Sequence, residues 1–250
     1  MKVEEFQKMY DLEMDHWWYK GKRDIINTVI NSFKDNSDKS SKNKILDVGC
    51  GTGAVMRFLE RYGEVYGMDV SFEAVNFCKK RNIKNVEQGD ALNLPYPDNT
   101  FNYVTCLDVL YHKTISDDVA VIKELNRVLK PGGKLIITDS ACPSLWSKHD
   151  RAVHARERYT KKILKERVKK GGFEVKKISY FNFFLFPIVY FVRRLENIFE
   201  SKKEIKSNVS KTPYLINQTL YSILKLESFI LKNHDLPIGV SLICVAQKIK

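Results

Sequence analysis

The stretch from Lys44 to Glu60, KILDVGCGTGAVMRFLE, decides how the rest of the chain is read. Ile45-Leu46-Asp47-Val48 is a short apolar run of the kind a buried strand needs. The glycines Gly49, Gly51 and Gly53 follow at once, and an amphipathic pattern over 53–61 reads as a helix. A glycine-rich turn between strand and helix lets the backbone approach a ligand closely, commonly a nucleotide. Here the pattern is G-x-G-x-G. A dinucleotide turn places its third glycine one residue later, and with no G-K-[ST] following, a P-loop is excluded.

Working outward, strands and helices alternate. Strands are expected at 44–48, 64–69, 84–89, 101–107 and 134–139, with helices at 53–61, from Ser71 as N-cap, and near 116–129. A helix over 158–170 ends at Gly171-Gly172; FEVKKISYF (173–181) and GVSLICVAQKI (239–249) read as the last two strands. Such alternation implies an α/β fold, a mostly parallel sheet with helices on both faces. Residues 3–33 read as helical on both sides of Gly21, and 34–43 as a polar linker. The stretch 182–238 carries two helical patterns and reads as an insertion between the last two strands. One domain is expected, with an N-terminal helical segment (1–40), a core sheet (44–181 and 239–250) and the insertion (182–238).

Two carboxylates extend the site. Asp69 ends the second strand, twenty residues after Gly49, where a carboxylate can accept hydrogen bonds from both hydroxyls of a ribose. Asp90 and Ala91 follow the third strand, where a side chain and a backbone amide can read an adenine edge. With these on the page, LDVGCGTG (46–53), VYGMDVS (65–71), EQGDALNLPYPDNTFNYVTCLDVLYH (87–112) and ELNRVLKPGGKLIIT (124–138) together resemble the successive motifs of class I S-adenosylmethionine-dependent methyltransferases. The resemblance covers roughly residues 40–140. It implies a Rossmann-like seven-stranded sheet with an antiparallel last strand, and S-adenosylmethionine (S-adenosyl-L-methionine) as methyl donor. It also implies that Asp47, Gly49, Cys50, Gly51 and Gly53 frame the amino-acid half of the cofactor, that Asp69 with Val70 holds the ribose, and that Leu107 lines the sulfonium side.

Outside those motifs, DHWWYKGKR sets His16, Trp17, Trp18 and Tyr19 in a row. Aromatic faces attract a sulfonium, and many members of the resembled family close an N-terminal helical segment over the cofactor. Trp18 is therefore a cofactor candidate, and His16, Trp17 and Tyr19 are substrate candidates; the alternative is that these rings anchor the helix on the sheet. Tyr111 and His112 follow the fourth strand, with Tyr111 a substrate candidate and His112 a candidate base. SKHDRAVHARERYTKKIL adds His154 as a second catalytic candidate, and Arg156, Arg158 and Tyr159 as acceptor contacts. The alternative there is a salt-bridged helix start capped by Thr160. FNFFLFPIVYFVRRLENIF (181–199) suits a lipid tail or a membrane interface, or else a helix buried against a second insertion helix at 214–232; of these two, burial is favoured.

The net charge is +12, and 18 Lys/Arg against 7 Asp/Glu between Lys148 and Lys211 supply nearly all of it. Such a surplus attracts anions, nucleic acid or acidic lipid. The five scattered cysteines lack a C-x-x-C pair, and no metal cluster stands out, so neither a disulfide framework nor a metal site is expected. The N-terminus has acids where an export signal needs bases, and Pro187 interrupts the longest apolar run; a cytoplasmic protein is expected, with a peripheral membrane contact as a variant. A small-molecule acceptor, lipid-like or glycosylated, is the leading expectation. RNA methylation and cofactor sensing without catalysis are the competing ones, the former weakened because CLDV stands where NPPY or DPPY would follow the fourth strand.

Overall fold

The computed structural model describes residues 3–33, 43–198 and 210–249. In chain order these form α1 (Val3–Leu12), α2 (Trp17–Ser32), β1 (Asn43–Val48), α3 (Ala54–Leu59), β2 (Gly63–Asp69), α4 (Phe72–Lys80), β3 (Val86–Gln88), β4 (Phe101–Leu107), α5 (Asp118–Val128) and β5 (Leu129–Ser140). Then come α6 (Lys148–Ala152), α7 (Lys161–Lys170), β6 (Phe173–Phe181), α8 (Phe186–Ile198), α9 (Tyr214–Leu231) and β7 (Ser241–Lys248). The strands make one sheet in the order β3-β2-β1-β4-β5-β7-β6, and β7 alone runs antiparallel, wedged between β5 and β6.

The period-two alternation of the central strands supplies both faces of the sheet. Leu46, Leu135, Ile137, Leu242 and Cys244 point to one side, where Val121, Ile122 and Leu125 of α5 and Leu164 and Val168 of α7 cover them. Ile45, Ile136, Ile243 and Val245 point to the other, against Ile25, Ile26 and Val29 of α2 and Leu231 of α9. Strand order reverses between β1 and β4, so the crevice beyond their carboxyl ends is where this architecture holds ligands.

Several expected elements are revised. The helical reading of 3–33 breaks after Leu12, because His16 caps a new helix: its Nδ1 accepts the Trp18 N–H, and Asn217 Oδ1 accepts the Trp17 N–H at 2.8 Å. Strand β5 begins at Leu129, ahead of the Pro131-Gly132-Gly133 turn, and α7 starts only after Thr160, because Tyr159 is drawn into extended pairing with Ala141. The favoured burial of the first insertion helix is overturned: no residue of α8 is buried, whereas α9 packs on α2. The linker at 34–43 falls outside the described residues except for Asn43, and so does the stretch of the insertion between α8 and Ser210.

Gly21 lets α2 and α9 meet. A Cβ at this position would lie 2.5 Å from Cβ and Cδ1 of Leu224. Gly21→Val is expected to lower stability by about 1–3 kcal/mol through overpacking, and adding Leu224→Ala should recover part of that loss; urea denaturation of the two variants checks both.

Candidate functional site

The chain leaves β1 through three glycines in the left-handed region, with φ of +73° at Gly49, +56° at Gly51 and +89° at Gly53. Side chains rarely adopt that backbone, and a Cβ on Gly49 would sit 2.3 Å from Val109 Cγ2. The turn is locked to β2: Gly49 and Cys50 donate to the Met68 carbonyl, and Gly51 donates to Asp69 Oδ2 at 2.9 Å. The other Asp69 oxygen accepts the Ser71 N–H at 2.9 Å. Burial raises the Asp69 pKa, opposed by these two N–H groups.

Beyond the turn lies a cavity of about 380 Å³, within the range of small-molecule sites, about 300–1,000 Å³. Gly49, Cys50, Gly51, Thr52, Asp69, Val70, Asp90 and Ala91 line one end. Tyr111, His112, Thr114 and His149 line the other, with Asp47 and Leu107 on the walls. The N-terminal helices close it over with Met9, Glu13, Trp18, Tyr19 and Lys22. Two ion pairs hold this cover: Lys22 Nζ lies 2.5 Å from Asp108 Oδ2, and Arg81 bonds both Glu13 Oε1 at 2.7 Å and the Tyr10 carbonyl at 2.9 Å. Glu13 also accepts the Thr52 hydroxyl. Trp18 stacks on Phe181 with ring centroids 5.9 Å apart.

The lining is acidic in a basic protein. Glu5, Glu13, Asp47, Asp69, Asp90 and Asp108 face it, against Lys8, Lys22 and Arg23. The imidazoles are held neutral by burial: His149 is pushed down to about 4, with Arg193 adding repulsion, and His112 is lowered as well. Burial likewise raises the phenols of Tyr19 and Tyr111, keeping them protonated. Asp47, wholly buried and accepting the Thr105 hydroxyl at 2.6 Å, is raised to about 7 by the loss of solvent. This setting suits a cationic small molecule.

Some candidates are brought elsewhere. Gly53 turns the chain into α3 and does not line the cavity. His16 is spent as the α2 cap and as a partner of Thr212, and Trp17 faces α9 through its backbone bond to Asn217. His154 is exposed and outside the cavity, its ring 6.1 Å from His112. Arg158, expected to contact the acceptor, is buried against Asp150 at 2.7 Å and the Ala141 carbonyl. Tyr159 is fully buried and donates to Asp118 at 2.6 Å, the carboxylate that Arg156 and Arg167 also approach. These arginines and this tyrosine are internal struts, because acids on neighbouring turns reach them first.

Sequence reasoning passed over Glu13, Lys22 and Asp108 as site residues. Lys22 lies four residues after Trp18, on the same helix face, and Asp108 is the first residue beyond β4; those spacings were the available signals.

The seven-stranded sheet with one reversed strand and the cavity beyond a glycine turn have the Rossmann-like architecture found in S-adenosylmethionine-dependent methyltransferases. Residues 46–137 match the family described as a methyltransferase domain. The demethylmenaquinone methyltransferase of Geobacillus sp. (strain WCH70) is 40% identical over 112 residues, 41% of this chain and 47% of that protein. That of Staphylococcus saprophyticus subsp. saprophyticus is 35% identical over 142 residues, 50% of this chain and 60% of that one. The chain thus spans about half the length of the curated relatives it matches. A SAM-dependent methyltransferase from Archaeoglobus fulgidus shares the fold with a TM-score of 0.56, at 18% identity, over 89% of this chain and 91% of that one.

Asp47 gives the site a pH signature. Its folded pKa is raised to about 7, so the native state holds a proton that the unfolded chain, near pKa 3.9, has released. Stability from this group is full below pH 4 and is lost as pH rises to 7, at up to about 1.4 kcal/mol per pH unit. Asp47→Asn should flatten that decline; denaturant titrations from pH 4.5 to 7.5 on both proteins measure the difference.

Proposed function

We propose that this chain transfers a methyl group from S-adenosylmethionine to a small-molecule acceptor with an apolar body. The observation that carries the reading is one continuous cavity, with the glycine turn, Asp69, Asp90 and Ala91 at one end and Tyr111, His112 and His149 at the other. The residues present fit the cofactor: left-handed glycines leave backbone room, a buried carboxylate ends β2, and the lining carries an acidic excess for a cation. Bound there, S-adenosylmethionine supplies an electrophilic methyl group on a sulfonium.

The remaining work is the protein's. Asp69 accepts from the ribose hydroxyls, and Asp90 and Ala91 border the base. Asp47 and the Gly49–Gly51 turn face the amino-acid portion. Trp18 and Tyr19, neutral and aromatic, border a positive centre without repelling it. Neutral His112 and His149 leave the transfer end without competing positive charge, and α1 and α2 exclude water above it. Alignment of donor and acceptor in one cavity is the main contribution to rate. His112, with Nδ1 3.0 Å from the Thr114 hydroxyl, is the group proposed to receive an acceptor proton when the nucleophile needs one. The lipid-like character of the acceptor draws support from the names of the curated relatives, demethylmenaquinone methyltransferases.

Asp69→Ala should weaken S-adenosylmethionine and S-adenosylhomocysteine by about 1–3 kcal/mol, since two hydroxyls lose their acceptor. Calorimetry reads this directly; no heat with the wild type, or equal affinity for NAD, contradicts the reading.

His112→Ala should keep cofactor affinity and lower turnover by roughly 10²-fold. The assay is S-adenosylhomocysteine release with demethylmenaquinone in detergent micelles, and unchanged turnover removes His112 from the reaction.

A further inference from the structure

Helix α8 is amphipathic in the wrong sense for a helix that serves the core. Ile188, Phe191, Val192, Leu195 and Ile198 recur at helical spacing, and all five are exposed, Phe191 at 65% and Ile198 at 70%. The opposite side is the anchored one. Arg193 bonds the Leu145 carbonyl at 2.8 Å, and Asn197 bonds the Trp146 carbonyl at 2.9 Å. A surface helix of a globular protein turns such a stripe inward; here polar groups fasten the helix and the apolar stripe faces out.

Helix α9 repeats the arrangement. It packs on α2 through Leu224 and Leu231 while Leu215, Leu226 and Phe229 stay exposed, Phe229 at 73%. The two helices are joined at one end: buried Glu227 accepts the Phe184 N–H at 2.9 Å, which brings the approach to α8 against the last turns of α9. Both lie at the functional edge of the sheet. Helix α8 follows the carboxyl end of β6 and is fastened to the 145–150 segment, and His149 of that segment lines the transfer end of the cavity.

We propose that the outward faces of α8 and α9 are a docking surface for an anionic lipid bilayer, lying in the headgroup region with the transfer end of the cavity beside the membrane. Aromatic and aliphatic residues seated among cations are the chemistry of an interfacial helix. The exposed cations Arg194, Lys211, Lys225 and Lys232 stand on or next to these helices, the first two within the stretch that carries most of the surplus of +12. Charge complementarity selects a bilayer over a second copy of the chain, because an isologous contact would set those cations against themselves. Among the described residues no helix is long and apolar enough to cross a membrane, so contact in the plane is the mode available. Docking stands independently of the transfer reaction, and bears on it by naming the bilayer as the source of an apolar acceptor.

The test is co-sedimentation of the full chain with vesicles of phosphatidylcholine alone and of phosphatidylcholine with phosphatidylglycerol, across a salt series. Binding is expected to the anionic vesicles and to weaken with salt. Phe191→Asp and Phe229→Asp should each lower partitioning about tenfold or more. Their thermal midpoints and S-adenosylmethionine affinities should match the wild type, because both side chains are already in solvent. Failure of the wild type to sediment, or equal partitioning of the variants, overturns the proposal. A wild-type dimer in analytical ultracentrifugation that the same variants abolish, without vesicle binding, overturns it in favour of self-association. Cofactor calorimetry on the same samples keeps the methyl-transfer reading separately testable.

Discussion

The carboxylate of Asp69 is the joint on which the site depends. One oxygen holds the Gly51 N–H and the other the Ser71 N–H, so the turn after β1 and the start of α4 are fixed to the end of β2 by one side chain. That geometry exists only because Gly49, Gly51 and Gly53 accept left-handed backbone, which a side chain would oppose by strain and, at Gly49, by direct collision with Val109. Each of these half-buried N–H groups finds its acceptor in this one carboxylate. The rim of the cavity follows from this joint.

Charge is sorted across the fold in a way that the total conceals. A protein of net charge +12 presents six acids and three bases to its cavity. Several arginines that do not line the cavity are held by internal acids: Asp150 holds Arg158 and Arg193, and Asp118 receives Arg156, Arg167 and Tyr159. A buried ion pair adds little net stability, but an unpaired member of it costs several kcal/mol, so these partners are committed. The cavity is left with neutral imidazole and phenol and with an excess of acids over bases. That environment favours a cationic ligand.

The cover over the cavity is an assembly of distant parts. Lys22 of α2 meets Asp108 at the end of β4, and Arg81 after α4 ties Glu13 to the glycine turn through Thr52. Asp108 sits in the left-handed region at φ +59°, and its other oxygen takes the Thr138 hydroxyl. Aspartate tolerates that backbone better than most residues. Helix α9 then backs α2 where Gly21 allows close approach, leaving α8 as the element whose apolar side has no place in the core.

The sequence alone determined the alternating strands and helices, the glycine turn and the carboxylates Asp69 and Asp90 at strand ends, because these are written in local periodicity and in residues a few positions apart; the reversed last strand was implied only by the family resemblance of the motifs. It also singled out Trp18, Tyr19, Tyr111 and His112, which the structure brings to the lining of the cavity, since each stands next to a strand end or on the helix that covers it. The break at His16 and the late start of α7 escaped it, because tertiary partners, Asn217 and Ala141, outweigh helix propensity there. Only the tertiary structure decided which charges are free. Arg156, Arg158 and Tyr159 have the composition of an anion clamp, yet acids on neighbouring turns and on α5 occupy them. Lys22 and Asp108, separated by 86 residues, become a pair only when α2 lies across β4. The direction of the α8 stripe was equally beyond the sequence: periodicity shows that a helix has an apolar face, but which side meets the protein depends on what the rest of the fold has already covered.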